Sequence, residues 1–386
     1  MSLAILGIGT AVPPVSITQA DAARITKALC CRTREQQTWL PLMFEHTGIR
    51  ARHLSFGQAV VEDVLNGTRF TQSVFLPTGR EDDRGPTTGQ RMRHYVAEAG
   101  PLALRAAHQA LERSGLASAE LTHLVTVSCT GFHAPGIDYE LIQGLGLSAT
   151  VQRTHIGFMG CHGALNGLRV ARAFADSEPD ARVLVCAVEL CTMHYHYGWD
   201  PQKVIANAIF ADGAAAVVGV HPALGPVGVW SVTAAGSCLL PDSREAMTWT
   251  IGDHGFEMTL SKRVPSLIRE HLRPWLEGWL DRRGLRIETV SSWAIHPGGP
   301  RILDAAAEAL GLGEEKLVAA REVFATYGNM SSPTVLFLVE NLRNRRAPLP
   351  CVALGFGPGL VAEVVLFAHS PRLAGGGISP GKPGAM

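Results

Sequence analysis

The chain alternates short apolar runs with stretches in which apolar residues recur every three or four positions, the pattern of strands interleaved with amphipathic helices. "LAILGIGTA", residues 3 to 11, predicts a first strand. "PLALRAAHQALERSGLASAELTHLVTVSCTG" predicts a helix from Pro101, a polar linker and an apolar strand that ends at Cys129 to Gly131. "SLIREHLRPWLEGWLDRRGLRIETVSSWAIHPGG" repeats that order and ends at His296 to Gly299. A helix closed by Gly and Leu follows each strand, "IDYELIQGLGL" in one case and "RILDAAAEALGL" in the other.

The parallel continues through "SATVQRTHIGFMGCHGALNGLRVARAF" and "GEEKLVAAREVFATYGNMSSPTVLFLVENL". Each predicts an extended stretch, a glycine, a polar residue and a helix, with a strand following in "ARVLVCAVEL" and "PLPCVALGFGPGL". The chain therefore reads as two copies of one α/β unit, residues 1–220 and 221–369, and predicts sheets covered by helices. This alignment gives Cys161 and Asn329 equivalent helix starts and His296 an equivalent strand end, so that three reactive side chains converge at one pseudo-twofold junction. Residues 55–90, rich in Gly, Thr and charge, predict an insertion or surface loop. Residues 370–386 carry Gly and Pro without periodicity and predict a disordered tail.

Composition narrows the function classes. With 46% hydrophobic and 18% charged residues the chain is globular with ample core. Its 34 basic and 34 acidic residues cancel, so no overall field recruits nucleic acid or an anionic membrane, and a small molecule is the expected partner. No apolar run reaches the roughly 18 residues of a membrane helix, and "MSLAILGIGTAVPP" lacks the basic flank and cleavage site of a signal peptide. The expectation is a cytoplasmic protein with no integral membrane segment. Eight cysteines without a CxxC pair predict reduced thiols and no zinc site. His194 and His196 in "MHYHY" fit a strand or pocket wall better than a metal pair, and no metal is expected.

The candidate chemistry centres on "GFMGCHGAL", where Cys161 stands among three glycines at the start of a helical pattern. Glycines admit a ligand to the backbone, and a helix N-terminus stabilises a thiolate. His296 ends an apolar strand before Pro and two Gly, positioned as the base such a thiol requires. Asn329 in "YGNMSSPT" offers an amide donor for an oxyanion or enolate, or alternatively a helix cap.

"GFMGCHGALNGLRVAR", "IFADGAAAVVG", "WAIHPGGPRILD", "YGNMSSPTVLF" and "GFGPG" occur in an order and spacing that resemble type III polyketide synthases, the chalcone synthase-like branch of the thiolase superfamily. The resemblance runs from about residue 3 to 368. It implies a five-layered αβαβα fold, a homodimer, and CoA thioesters as substrates with no bound cofactor. It also implies that Cys161 is the nucleophile, that His296 and Asn329 promote malonyl decarboxylation, and that Phe210 in "IFADGAAA" is an aromatic gate.

Departures from the plant pattern bear on the substrate. Met258 stands where plant enzymes carry a second gate phenylalanine, and Cys129 and Cys191 replace small hydroxyl residues, which suits flexible aliphatic chains. Trp249 and Gly252 fall at the family's cavity floor, while Gly357 and Pro358 belong to a cavity-wall turn. Ala134 replaces the methionine that crosses the dimer interface. Arg32, Arg34, Arg50 and Arg52 are the candidate grips for CoA phosphates.

The local motifs look most like bacterial synthases that make alkylresorcinols or alkylpyrones from long-chain acyl-CoA, and the starter expected here is a medium- or long-chain fatty acyl-CoA. The rival readings are an initiating ketoacyl synthase of fatty acid biosynthesis, whose histidine continues into Gln-Ala-Asn rather than "HPGG", and a non-catalytic acyl-CoA-binding scaffold. A papain-like hydrolase lacks support, because Cys161 is far from the N-terminus and without that family's local signature.

Overall fold

The computed structural model describes residues 2–369, and the expected disordered tail lies outside the described residues. In chain order the first half comprises β1 (Leu3–Ala11), β2 (Val15–Thr18), α1 (Gln19–Cys30), α2 (Arg34–Glu45), β3 (Ala51–Leu54), α3 (Gln58–Asn66) and α4 (Thr88–Ser114). It continues with β4 (His123–Ser128), α5 (Ile137–Leu145), β5 (Gln152–Gly157), α6 (Gly163–Ser177), β6 (Arg182–Leu190), α7 (Pro201–Ile209) and β7 (Asp212–Val220). The second half comprises β8 (Trp230–Leu239), β9 (Met247–Gly252), β10 (Gly255–Leu260), α8 (Val264–Asp281) and β11 (Ser292–Ile295). It ends with α9 (Pro300–Leu310), α10 (Val318–Tyr327), α11 (Thr334–Asn344), β12 (Cys351–Gly357) and β13 (Val361–His369).

The strand pairing repeats between halves. β4 lies parallel to β6, which is antiparallel to β7, which is antiparallel to β1; β11, β12, β13 and β8 repeat the same sequence of pairings. β5 adds one further strand at the edge of the first half. The two sets join where Leu3 and Ala4 of β1 face Val232 and Ser231 of β8.

Between them lie α6 and α11. α6 packs on β4 and β6 of its own half and on β8 and β13 of the other. α4 and α5 cover the outer face of the first half, and α8 with α9 covers that of the second. The layers therefore run helix, sheet, helix, sheet, helix, the thiolase-like arrangement.

Small residues set this spacing. A Cβ on Gly9 of β1 would lie 2.1 Å from the Ala106 carbonyl oxygen, so α4 rests directly on the strand backbone. α4 presents Ala99, Ala103, Ala106, Ala107 and Ala110 to the sheet at helical spacing, and a reciprocal bond pair between Thr87 and Gln90 caps its start.

Three local expectations are corrected. Residues 55–90 are not wholly loop, because Val61 of α3 is buried against the α1 side of the fold. The helix expected from Pro101 begins at Thr88 and carries that proline in its interior. The extended stretch expected before Asn329 is the helix α10, whose Ala319, Ala320, Val323 and Phe324 are buried at helical spacing.

Candidate active site

Cys161 sits in a single 3₁₀ turn, Gly160–His162, that runs straight into α6. Gly160 has φ +73°, and a Cβ there would strike Pro358 Cδ at 2.3 Å, so this position needs glycine both for its backbone angle and for its close approach. The turn holds the sulfur at the end of α6 where backbone N–H groups lack helical partners, a favourable place for negative charge.

Asn329 precedes α11 in an extended segment that bridges Phe210: its N–H donates to the Ile209 carbonyl at 2.9 Å, and its own carbonyl accepts from Ala211 N–H at 2.9 Å. It is not a helix cap. Its Oδ1 accepts from Ser331 N–H at 2.8 Å, while its Nδ2 donates to the Gly298 carbonyl at 3.3 Å and lies 3.9 Å from Cys161 Sγ.

His296 leaves the end of β11 with its N–H bonded to the Leu354 carbonyl at 2.8 Å. Gly298 folds back to donate to the His296 carbonyl and accepts from the Asn329 amide. The turn after β11 and the segment before α11 are thus tied together beside Cys161.

The electrostatics disfavour isolated charge. Burial pushes the Cys161 thiol up to about 11, partly offset by contacts with Ser331 and Asn329. Burial, and then the neighbouring His162, pulls His296 down to about 3. Both ring nitrogens of His296 are buried without a protein partner. Burial thus favours the neutral thiol and the neutral imidazole, while the end of α6 favours any negative charge that develops on the sulfur.

Two cavities meet near the thiol. A small inner chamber of about 40 Å³ is lined by Cys129, Cys161, Cys191, Phe210, Trp249, Met258, Ser331 and Pro358. Cys191, Phe210, Trp249 and Met258 also line an outer cavity of about 710 Å³. Those four side chains form the partition between the two.

Trp249 is fixed in place, since its Nε1–H donates to the Cys129 carbonyl at 2.7 Å. Cys129 Sγ accepts from Gly160 N–H at 3.0 Å, which locks the thiol of one wall to the backbone beside the other. His194 is neutral and structural: its Nε2 bonds the Thr130 carbonyl, its Nδ1 accepts from Phe256 N–H, and burial pulls it down to about 3. Residues 191–194 form a 3₁₀ turn, with His194 and His196 on the outer cavity wall. Among the described residues no group of three or more His, Cys, Asp or Glu is placed to hold a metal.

Several expected site residues lie elsewhere. Gly252 ends β9 at a hairpin tip, where a Cβ would meet Glu257, and it lines neither cavity. Gly357 stands behind the wall, where its lack of a side chain makes room for the His162 ring, whereas Pro358 does face the inner chamber. Arg52 is fully buried, with Nη1 donating to the Asn207 and Phe210 carbonyls at 2.7 Å, so it is unavailable to a CoA phosphate. Arg32, Arg34 and Arg50 are exposed. Of these, Arg50 adjoins Ile49, which packs with Phe210 and Cys161.

Sequence reasoning missed Glu189. This fully buried carboxylate ends β6 and accepts from Cys129 N–H at 2.8 Å, Thr130 N–H at 3.0 Å, Thr130 Oγ1 at 2.8 Å and Ser332 Oγ at 2.6 Å. Burial raises it to about 7. The signal was present, because Glu189 is an acid inside the otherwise apolar run "VLVCAVEL". Ser331, which faces the inner chamber, was visible only as a neighbour of Asn329.

Comparison with known proteins matches the N-terminal domain of chalcone and stilbene synthases to residues 2–222 and the C-terminal domain to residues 231–371. The chain is 31% identical over 368 residues to a 1,3,6,8-tetrahydroxynaphthalene synthase of Streptomyces peucetius subsp. caesius, covering 94% of this chain and 92% of that protein. It is 31% identical over 370 residues to the alpha-pyrone synthesis polyketide synthase-like Pks18 of Mycobacterium tuberculosis, covering 94% and 90%. Among solved structures, PKS-I from the brown alga Ectocarpus siliculosus superposes with a TM-score of 0.84 at 29% identity, covering 96% of this chain and 99% of that one. The type III polyketide synthase domain of Steely1 from Dictyostelium gives a TM-score of 0.84 at 27% identity, covering 96% and 100%.

Proposed function

Because the chain belongs to the chalcone and stilbene synthase family, the type III polyketide synthases, we propose that it loads a medium- or long-chain fatty acyl group from CoA onto Cys161 and extends it with malonyl-CoA. The extended chain is cyclised to an alkylresorcinol or an alkylpyrone. The observation that carries the reading is the approach of the Asn329 amide to within 3.9 Å of Cys161 Sγ, with Gly298 tying Asn329 to the buried His296, whose ring nitrogens have no protein partner.

In the loading step the Cys161 proton passes to His296, and the sulfur attacks the acyl-CoA carbonyl. A new carbon–sulfur bond forms, the bond to the CoA sulfur breaks, and the departing thiolate takes the proton back from His296. Malonyl-CoA then loses carbon dioxide: the carbon–carbon bond breaks, and its electron pair moves onto the thioester oxygen. Asn329 Nδ2 and a His296 N–H are the donors for that oxygen. The enolate carbon attacks the acyl-Cys161 carbonyl, a carbon–carbon bond forms and the Cys161 thiolate leaves.

CoA approaches beside Arg50. Support comes from the exposed guanidinium next to Ile49, and from Glu81, Asp82 and Asp83 on the outer cavity, whose charge opposes phosphates there. The functional unit is a homodimer built on the free edge of β5, where Phe132 and Tyr139 are exposed and Ala134 borders the same hollow as Arg153 and His155.

The test is to incubate purified protein with malonyl-CoA and acyl-CoA starters of graded length and identify products by mass spectrometry. Extended, cyclised products that require Cys161 are expected. Release of free fatty acid with no extended product refutes the reading.

A further inference from the structure

Behind Cys161 lies a second imidazole that neither loading nor extension uses. His162 follows the nucleophile in the same 3₁₀ turn and is buried. Its Nδ1–H donates to Asn166 Oδ1 at 2.8 Å, one helical turn along α6.

The ring is keyed into a notch in β12. A Cβ on Gly357 would lie 2.5 Å from both Cδ2 and Nε2 of His162, and one on Gly355 would lie 3.2 Å from the His162 Cβ. The ring can lie there because those two strand positions carry no side chain. Leu354, immediately before the notch, accepts the His296 N–H at 2.8 Å, so one strand seats both imidazoles, His296 along its edge and His162 on its face.

Glu363 of β13 is the register partner of Gly355, and its side chain leaves the sheet on the same face as the notch. It is buried and accepts from Arg169 Nη1 of α6 at 3.1 and 3.3 Å. The charged and titratable groups facing His162 are thus Cys161 in its own turn, Arg169 on α6, His296 at the end of β11 and Glu363 on β13. β12 presents only glycine.

We propose that His162 is a positioning residue for the polyketide synthase reaction: the Asn166 bond and the glycine notch fix the turn that aims Cys161 Sγ, and a proton on His162 opposes the proton that His296 must accept. The inference rests on the roles of Cys161 and His296 given above. Neutral His162 leaves His296 open to the thiol proton, whereas protonated His162 sets a cation beside the imidazolium that would form. Burial lowers His162 from its usual 6.5, against the pull of Asn166 and Glu363, so activity should be lost on the acid side of that value. His296 itself titrates only near 3. Glu189 acts in the opposite sense, because its ionisation disfavours the Cys161 thiolate as pH rises through about 7.

The experiment compares the parent with His162→Ala and with His162→Gln, whose amide can still donate to Asn166 but cannot titrate. Two rates are followed from pH 8 down to pH 5: alkylation of Cys161 by iodoacetamide, and extension of dodecanoyl-CoA with malonyl-CoA. At pH 8 His162→Ala should lose about 10² in kcat with KM little changed, the loss expected of a misaimed nucleophile, and His162→Gln should recover most of it. Toward pH 5 the parent's kcat/KM should fall by up to about tenfold per unit, the slope of a single proton, while that of His162→Gln stays flat. Parental kcat in folded His162→Ala, or an unchanged acid limb in His162→Gln, overturns the proposal. A parent whose Cys161 alkylates but which extends no acyl chain overturns the synthase reading instead, and the alkylation profiles then decide the role of His162. Should His162→Ala fail to fold by circular dichroism, Asn166→Ala, which keeps the ring and removes its bond, must show the loss in kcat.

Discussion

Replacing His296 with Ala isolates the role of the imidazole in activating Cys161. Burial pushes the thiol up to about 11 in the intact protein, and that burial survives the substitution while the proton acceptor is lost. At pH 7 a group titrating there is ionised to only about one part in 10⁴, against about 3% for a free cysteine near 8.5. The variant's sulfur should thus react roughly 300-fold more slowly than a free thiol with iodoacetamide, allowing for thiolate fraction alone. The rate should also climb about tenfold per pH unit from pH 6 to 10 without levelling. In the parent, His296 is pulled down to about 3 and so stays neutral across this range; as the proposed acceptor of the thiol proton during attack, it should make the parent faster than the variant at pH 7 and less steeply dependent on pH. Alkylation is followed by intact-protein mass spectrometry and located at Cys161 by peptide mapping, which separates it from the other thiols. His296→Ala protein that alkylates at the parental rate at pH 7 refutes the argument, because Cys161 would then owe its reactivity to the α6 terminus alone.

Four further outcomes follow from the same geometry. Asn329→Ala should lower the rate of malonyl-CoA decarboxylation by about 10² to 10³, the usual loss for one oxyanion donor, while iodoacetamide labelling of Cys161 falls much less, by the loss of one contact that lowers the thiol. Trp249→Ala should merge the inner chamber with the outer cavity, and mass spectrometry should show products carrying at least one more malonyl-derived unit. Arg50→Ala should raise the KM for malonyl-CoA by about tenfold or more with kcat little changed, as expected for a lost charge-assisted phosphate contact. Glu189 is raised to about 7 from an ordinary value near 4.5, so its folded form holds a proton more tightly than the unfolded chain. Stability associated with that proton is complete below about pH 4.5 and lost as pH rises through 7; the parent's Tm should fall between pH 5 and 8 more steeply than that of Glu189→Gln.

Much of this molecule is legible in its sequence because local patterns carry it. The duplicated α/β unit shows in the repeated order of helix, linker and strand, and the pairing of β4, β6, β7 and β1 recurs in β11, β12, β13 and β8. The candidates Cys161, His296 and Asn329 stand out because each polar or nucleophilic side chain sits beside glycine at the boundary of an element. Helix ends are read less well. α4 starts earlier than Pro101, because the capping pair Thr87 and Gln90 and the alanine face toward β1 outweigh a proline in its interior.

What the chain order cannot convey is which side chains share a cavity. Arg50 and Arg52 are two positions apart, yet Arg50 lies just before β3 and is exposed, whereas Arg52 lies within it and is buried against the Asn207 and Phe210 carbonyls. Gly252 and Trp249 are three apart, yet the hairpin turn carries one to the tip while the indole bonds back to Cys129. Glu189 and Ser332 are joined by a 2.6 Å bond although 143 positions separate them. Local pattern determined most of the elements and singled out Cys161, His296 and Asn329 as candidates, since both depend on neighbours along the chain. Tertiary packing alone decided the partition between the cavities and the titration of their walls, because volume and desolvation are set by residues that meet only when the two halves close on α6 and α11.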